Sequence, residues 1–176
     1  MNPFFKRYLF VFVLLLVGLW ATPSVAQTTS SQAPTLSAVL TDVISLTASV
    51  TSVQLRFQTA NDYNGGVTTT ATNQLNITSN KAYTLTLRAS GDLSNGQATP
   101  VTIPISSVGV TANWAAGATA NLGSITTTAQ NLTSAGVATQ SQNISVTYAV
   151  TAANAANFLK PAGTYTTTLT YTATQN

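Results

Sequence analysis

The sequence predicts an all-β protein: an antiparallel two-sheet Ig-like β-sandwich of about seven to nine strands. Three observations predict it. Apolar residues recur at alternate positions, as in SVQLRFQ and KAYTLTLRAS, which marks strands with one buried face. Clusters of Asn, Asp, Gly and Pro interrupt this alternation about every 8–12 residues, the spacing of short antiparallel strands. Threonine fills many of the remaining positions, and its branched Cβ favours extended backbone.

The chain opens on a leader. Lys6 and Arg7 are basic, residues 8–20 are a continuous apolar run, and Pro23 then breaks the segment. Ser24 and Ala26 stand at the two positions that a signal peptidase reads, which predicts cleavage between Ala26 and Gln27. The apolar run is shorter than the roughly 20 residues of a membrane-spanning helix. A secreted protein with no membrane span in its mature chain is therefore expected. Residues 27–34, QTTSSQAP, have no periodicity and read as a flexible arm. A single domain is expected over residues 35–176.

Within that domain TLSAVLTDVISLTAS alternates, with Leu36, Ala38, Leu40, Ile44, Leu46 and Ala48 on one side. Asp42 interrupts the apolar side, so the stretch reads as two short strands. Val53, Leu55 and Phe57 mark the next strand. NDYNGG reads as a hairpin turn, since Asn-Gly suits the positive dihedrals that a tight hairpin needs. Asn61, Asp62 and Asn64 could also offer oxygens to a calcium ion, but one carboxylate makes a poor site. A Thr-rich strand follows from Val67, with Leu75 and Ile77 turned inward. Tyr83, Leu85, Leu87 and Ala89 mark a further strand, and Asn95-Gly96 a further turn. Val101, Ile103 and Ile105 alternate around Pro104, which confines that strand to an edge or a bulge. Residues 112–140 are irregular and predict loops with one short strand. QNISVTYAV resumes the alternation, TAANAANFLK predicts one helical turn, and PAGTYTTTLTYTATQN closes the chain as a strand. Its even positions from Thr164 to Thr174 are all threonine.

The residue inventory bounds the function. The chain lacks histidine, cysteine and glutamate. That removes the usual general base, the thiolate nucleophile, the zinc ligands and the paired carboxylates. Lys81 and Lys160 lie in no nucleophile motif, and no phosphate-binding glycine loop occurs. The residues predict no enzyme, no metal and no cofactor. Beyond the leader, Arg56, Lys81, Arg88 and Lys160 stand against Asp42, Asp62 and Asp92, four cations against three acids, a net charge of +1. Scattered cations make no nucleic-acid surface. Charged residues are 5% of the chain, against about a quarter in ordinary domains. Low charge favours association, so self-association or contact with a cell-envelope polymer is the expected partnership. Asn76, Asn131 and Asn143 each open an Asn-x-Ser/Thr pattern, which an Asn- and Thr-rich composition produces by itself. Tyr63 and Trp114 fall in expected loops, where an aromatic face could stack on a sugar.

Two segments together resemble the WxL (Trp-x-Leu) domains of bacterial surface proteins. Tyr83-Thr84-Leu85 matches an aromatic-x-Leu motif in mid-domain. Tyr165, Leu169, Tyr171 and Ala173 follow the spacing of the family's second motif near the C-terminus. The chain departs from that pattern: tyrosine replaces both tryptophans, alanine replaces the last leucine, and Trp114 matches neither motif. The Pro-Ala-Gly-Thr-Tyr lead-in is similar to spore coat U-type and pilin-like proteins. The resemblance implies an exported Ig-like sandwich without enzymatic activity, used for wall attachment, fibre building or adhesion. The alternative reading of Tyr83, Leu85, Tyr165, Leu169 and Tyr171 is core packing, because all five fall on inward faces.

Overall fold

The computed structural model describes residues 32–176. The leader, the cleavage position at Ala26 and Gln27, and the start of the arm lie outside the described residues. Residues 32–39 carry no regular structure, and the folded unit begins at Leu40.

The unit is built mainly of strands, all paired antiparallel. In chain order they are β1 (Ile44–Ala48), β2 (Gly66–Ser79), β3 (Tyr83–Ala89), β4 (Leu93–Ser94), β5 (Thr102–Ile103), β6 (Gly109–Trp114), β7 (Thr119–Leu122), β8 (Gln130–Gly136), β9 (Thr139–Thr151) and β10 (Leu169–Gln175). Two short helices, α1 (Ala60–Gly65) and α2 (Ala152–Ala155), sit before β2 and after β9. The strands form a five-stranded sheet in the order β1-β2-β9-β6-β7, a three-stranded sheet β10-β3-β8, and a small β4-β5 ribbon.

Both larger sheets feed one hydrophobic core. β3 shows the pattern most cleanly. Tyr83, Leu85 and Leu87 are fully buried, while Thr84, Thr86 and Arg88 are turned away. Burying each such apolar side chain stabilises the fold by roughly 1.5–3 kcal/mol. Opposite them the five-stranded sheet contributes Leu75, Ile77, Val110, Ile144 and Val146. The long β2–β9 pairing breaks register between Ala71 and Leu75, where Asn73 adopts φ 50°. Asparagine tolerates that left-handed conformation better than most side chains. The Asn73 N–H donates to Ser145 Oγ at 2.9 Å, so the bulge keeps a partner across the ladder.

Several local expectations are corrected. Residues 53–57 alternate as expected, with Val53, Leu55 and Phe57 packed on the core, yet they join no strand ladder. Alternation records one buried face; it does not supply a neighbouring backbone. The first five residues of NDYNGG lie in the helix α1, not in a hairpin turn, and Gly66 begins β2. Thr59 caps it: the Asp62 N–H donates to Thr59 Oγ1, and the Asp62 carboxylate accepts the Gln58 and Thr59 N–H groups at 2.7 Å. That reciprocal box satisfies amides which a helix start leaves open. Gly66 then turns the chain into β2 at φ 84°, with its α-carbon so close to the Val150 carbonyl that no Cβ fits. Residues 112–140, expected as loops with one short strand, hold the end of β6, all of β7 and all of β8. In the closing segment the ladder starts at Leu169; before it, Thr166 makes an isolated bridge to Ser94.

Candidate interaction surface

The sequence-derived candidates fall into three places. Tyr83 and Leu85 lie on β3, and Leu169 and Tyr171 on its antiparallel neighbour β10. Leu85 is the register partner of Ala173, and Leu87 of Tyr171. The two motif segments thus meet in one sheet. Tyr83 and Leu85 are fully buried, whereas Leu169 and Tyr171 on the outer strand are half-buried. Tyr165 stands before the ladder and its hydroxyl donates to Pro161 O at 2.9 Å.

Trp114 is a core residue, not a loop aromatic. It ends β6 at 7% exposure, and its Nε1–H donates to the Tyr83 hydroxyl at 3.3 Å. A buried indole ring has no face left for a sugar. The strand around it was hidden because its other inward positions are Val110 and the small Ala112. Tyr63 on α1 belongs to an aromatic cluster at one end of the sheets. Its ring is tilted by 44° against Phe57 at 5.2 Å, and Phe57 stacks on Phe158 at 4.5 Å. Asp62, weighed above as a calcium ligand, directs its carboxylate into its own backbone, and the bonds from Gln58 and Thr59 hold its pKa below the ordinary value. It closes a helix start.

The outward faces of the strands share one chemistry, hydroxyls and amides. Thr70 on β2 and Thr147 on β9 are register partners with hydroxyls 2.9 Å apart, and Thr111 on β6 continues the row. Asn76 Nδ2 donates to Asn143 Oδ1 and to Ser141 Oγ, each at 2.8 Å. On the other sheet Thr84 and Thr86 of β3 stand opposite Thr174 and Thr172 of β10. Among the described residues, Arg88 is the one charged side chain on any strand. Of the charges off the strands, Lys81 pairs with Asp42 at 2.6 Å, Arg56 donates to Gln54 Oε1, and Asp92 accepts the Ile105 N–H.

Sequence reasoning missed a polar chain inside the core. Gln74, 6% exposed at the β2 bulge, accepts the Tyr148 hydroxyl at 2.9 Å. The Tyr148 oxygen lies 2.7 Å from that of Tyr171. Tyr148 has a single O–H, which it donates to Gln74, so Tyr171 is the donor in the second bond. Burial raises the pKa of both phenols above 10.0. Nothing in the stretch TNQL marks Gln74 as buried, because the bulge alone turns it inward.

Among the described residues no helix is long and apolar enough to cross a membrane. No family model and no curated protein matches the chain.

Proposed function

We propose that this is a non-enzymatic, exported structural or adhesive protein, an Ig-like sandwich that works by associating with copies of itself or with a cell-envelope polymer. The observation that carries the reading is the outer surface of the strands, which among the described residues presents hydroxyls and amides with Arg88 as its one charge. Surface charge ordinarily keeps domains apart, and charged residues ordinarily blunt exposed sheet edges. Pairing of sheet edges is therefore the route of assembly. The leader supports export, and the resemblance of the β3 and β10 segments to WxL domains supports a place at the cell surface. The test is sedimentation and electron microscopy of residues 27–176 over a wide concentration range, with co-pelleting on cell envelopes. Concentration-dependent species or envelope binding is expected. A strict monomer that leaves envelopes unbound overturns the proposal.

A second reading, a glycan- or wall-binding module, is favoured by one observation. Tyr63 presents an aromatic ring beside the Phe57–Phe158 stack, and aromatic faces serve sugars well. Tyr63→Ala should then abolish envelope binding while leaving self-association intact. Unchanged binding removes this reading.

A further inference from the structure

The two larger sheets end in four outer strands, and three of them carry a device that hinders pairing with another chain. β7 has only 4 residues. β8 breaks register with β3 at two points. β1 has 5 residues and is preceded by the Asp42–Lys81 ion pair. Short strands, bulges and charges are the known means of closing an edge. β10 has none of them. It runs 7 residues without charge or proline and pairs with β3 in unbroken register.

The direction of its free backbone groups follows from the ladder. The Ser90 N–H donates to Thr168 O and the Asn176 N–H to Ala82 O. Residues of an antiparallel strand alternate between the two sides, so the even-numbered residues of β10 face β3. The N–H and C=O groups of Leu169, Tyr171, Ala173 and Gln175 point the other way, and among the described residues no ladder takes them up.

We propose that β10 is a dimerisation edge, on which the β10 strands of two copies pair antiparallel about a twofold axis at Thr172. The inference rests on the self-association proposed above and names its contact. Thr172 is the middle of the strand. With the axis there, Tyr171 stands opposite the partner's Ala173, a large side chain against a small one. Thr170 meets the partner's Thr174, and Thr172 meets its own copy. Every free odd-numbered group gains a bonding position, and no like charges meet. The half-buried Leu169, Tyr171 and Ala173 gain cover from the equivalent residues of the second copy. An isologous contact of this kind closes on itself, so the product is a dimer and not a fibre.

The chain contains no cysteine, so single thiols report the pairing directly. In the full-length mature protein, Thr172→Cys should form a disulfide-linked dimer under mild oxidation. Thr170→Cys alone should not, while a mixture of Thr170→Cys and Thr174→Cys should give the mixed dimer. Ala173→Pro removes an outward N–H and leaves the bonds to β3, and it should abolish the dimer without loss of the folded state. Should that variant fail to fold, Thr172→Lys serves instead, since position 172 is exposed: two lysines facing each other should dissociate the dimer, and mixing with Thr172→Asp should restore it. If the wild type associates but these thiols do not cross-link, or both edge variants remain associated, the assignment of β10 falls and self-association stands. A wild type that is monomeric at every concentration overturns both.

Discussion

Tyr83 and Tyr171 stand on neighbouring strands of the smaller sheet, and each reaches across to the larger one. Tyr83 accepts from Trp114; Tyr171 donates to Tyr148, which in turn donates to Gln74. The tether is similar but the surroundings are not. Tyr83 lies on the central strand at 0% exposure, and the backbone of Gly136 presses on its ring so closely that a Cβ there would fall inside it. Tyr171 lies on the edge strand, half-buried, and among the described residues no strand pairs on its outer side. The first ring is fixed by shape, the second by a chain of hydroxyls. The centre is thus held by packing on every side, and the edge by hydrogen bonds on its inner side alone.

The largest effect should come from deleting the central ring. Tyr83→Ala should cost about 3–5 kcal/mol, the usual loss for a buried aromatic, and Tyr171→Ala clearly less in the same urea titration. Equal losses would break the comparison. Next is Gly136→Ala, where the ring cannot yield: overpacking should cost about 1–3 kcal/mol. Gly91→Ala is the control, since a Cβ there meets nothing within 4 Å. Tyr83→Phe should follow at about 1–3 kcal/mol, because it leaves the buried Trp114 N–H without an acceptor. Tyr171→Phe removes only the outer donor and should cost about 1 kcal/mol or less.

Alkali sharpens the contrast further. Burial raises the folded pKa of Tyr148 and Tyr171 above 10.0, so the stability they contribute is complete below pH 10 and declines as pH rises beyond it. In pH-dependent melting, Tyr171→Phe should flatten that decline. The smallest effect is acidic and serves as a control outside both tethers. Asp62 has a folded pKa below 3.8, so its contribution to the α1 cap is present above that pH and lost as pH falls below it. Faster exchange of the Gln58 and Thr59 amides, with the rest of the fold unchanged, should report the loss.

Where residue size and period agree, the fold was legible from sequence. β3 and β9 alternate large apolar and polar residues, and their inward faces follow directly. Leu75 and Ile77 were legible for the same reason. β6 and β8 were not, because alanine, glycine and asparagine carry little contrast between faces. Residues 53–57 carry the contrast without the ladder, since a neighbour's backbone leaves no trace in the local sequence. The cap of α1 could have been read from Thr59 and Asp62, spaced as a capping box, but Asn-Gly outweighed it. Of the candidate surface, the shortage of charge was evident from composition. That it empties the strand faces of all but Arg88, and that β10 alone lacks an edge-closing device, required the pairing order.

With Arg88 as the one charge among the described strands, the faces should respond little to salt. Dissolved ions act on a protein mainly by screening its charges over a Debye length of about 8 Å at physiological ionic strength. Here the faces offer almost nothing to screen. Contacts made through hydroxyls, amides and backbone groups should hold alike in dilute buffer and in concentrated sodium chloride. A contact of that kind would draw its strength from geometry, and added salt should leave it nearly as strong.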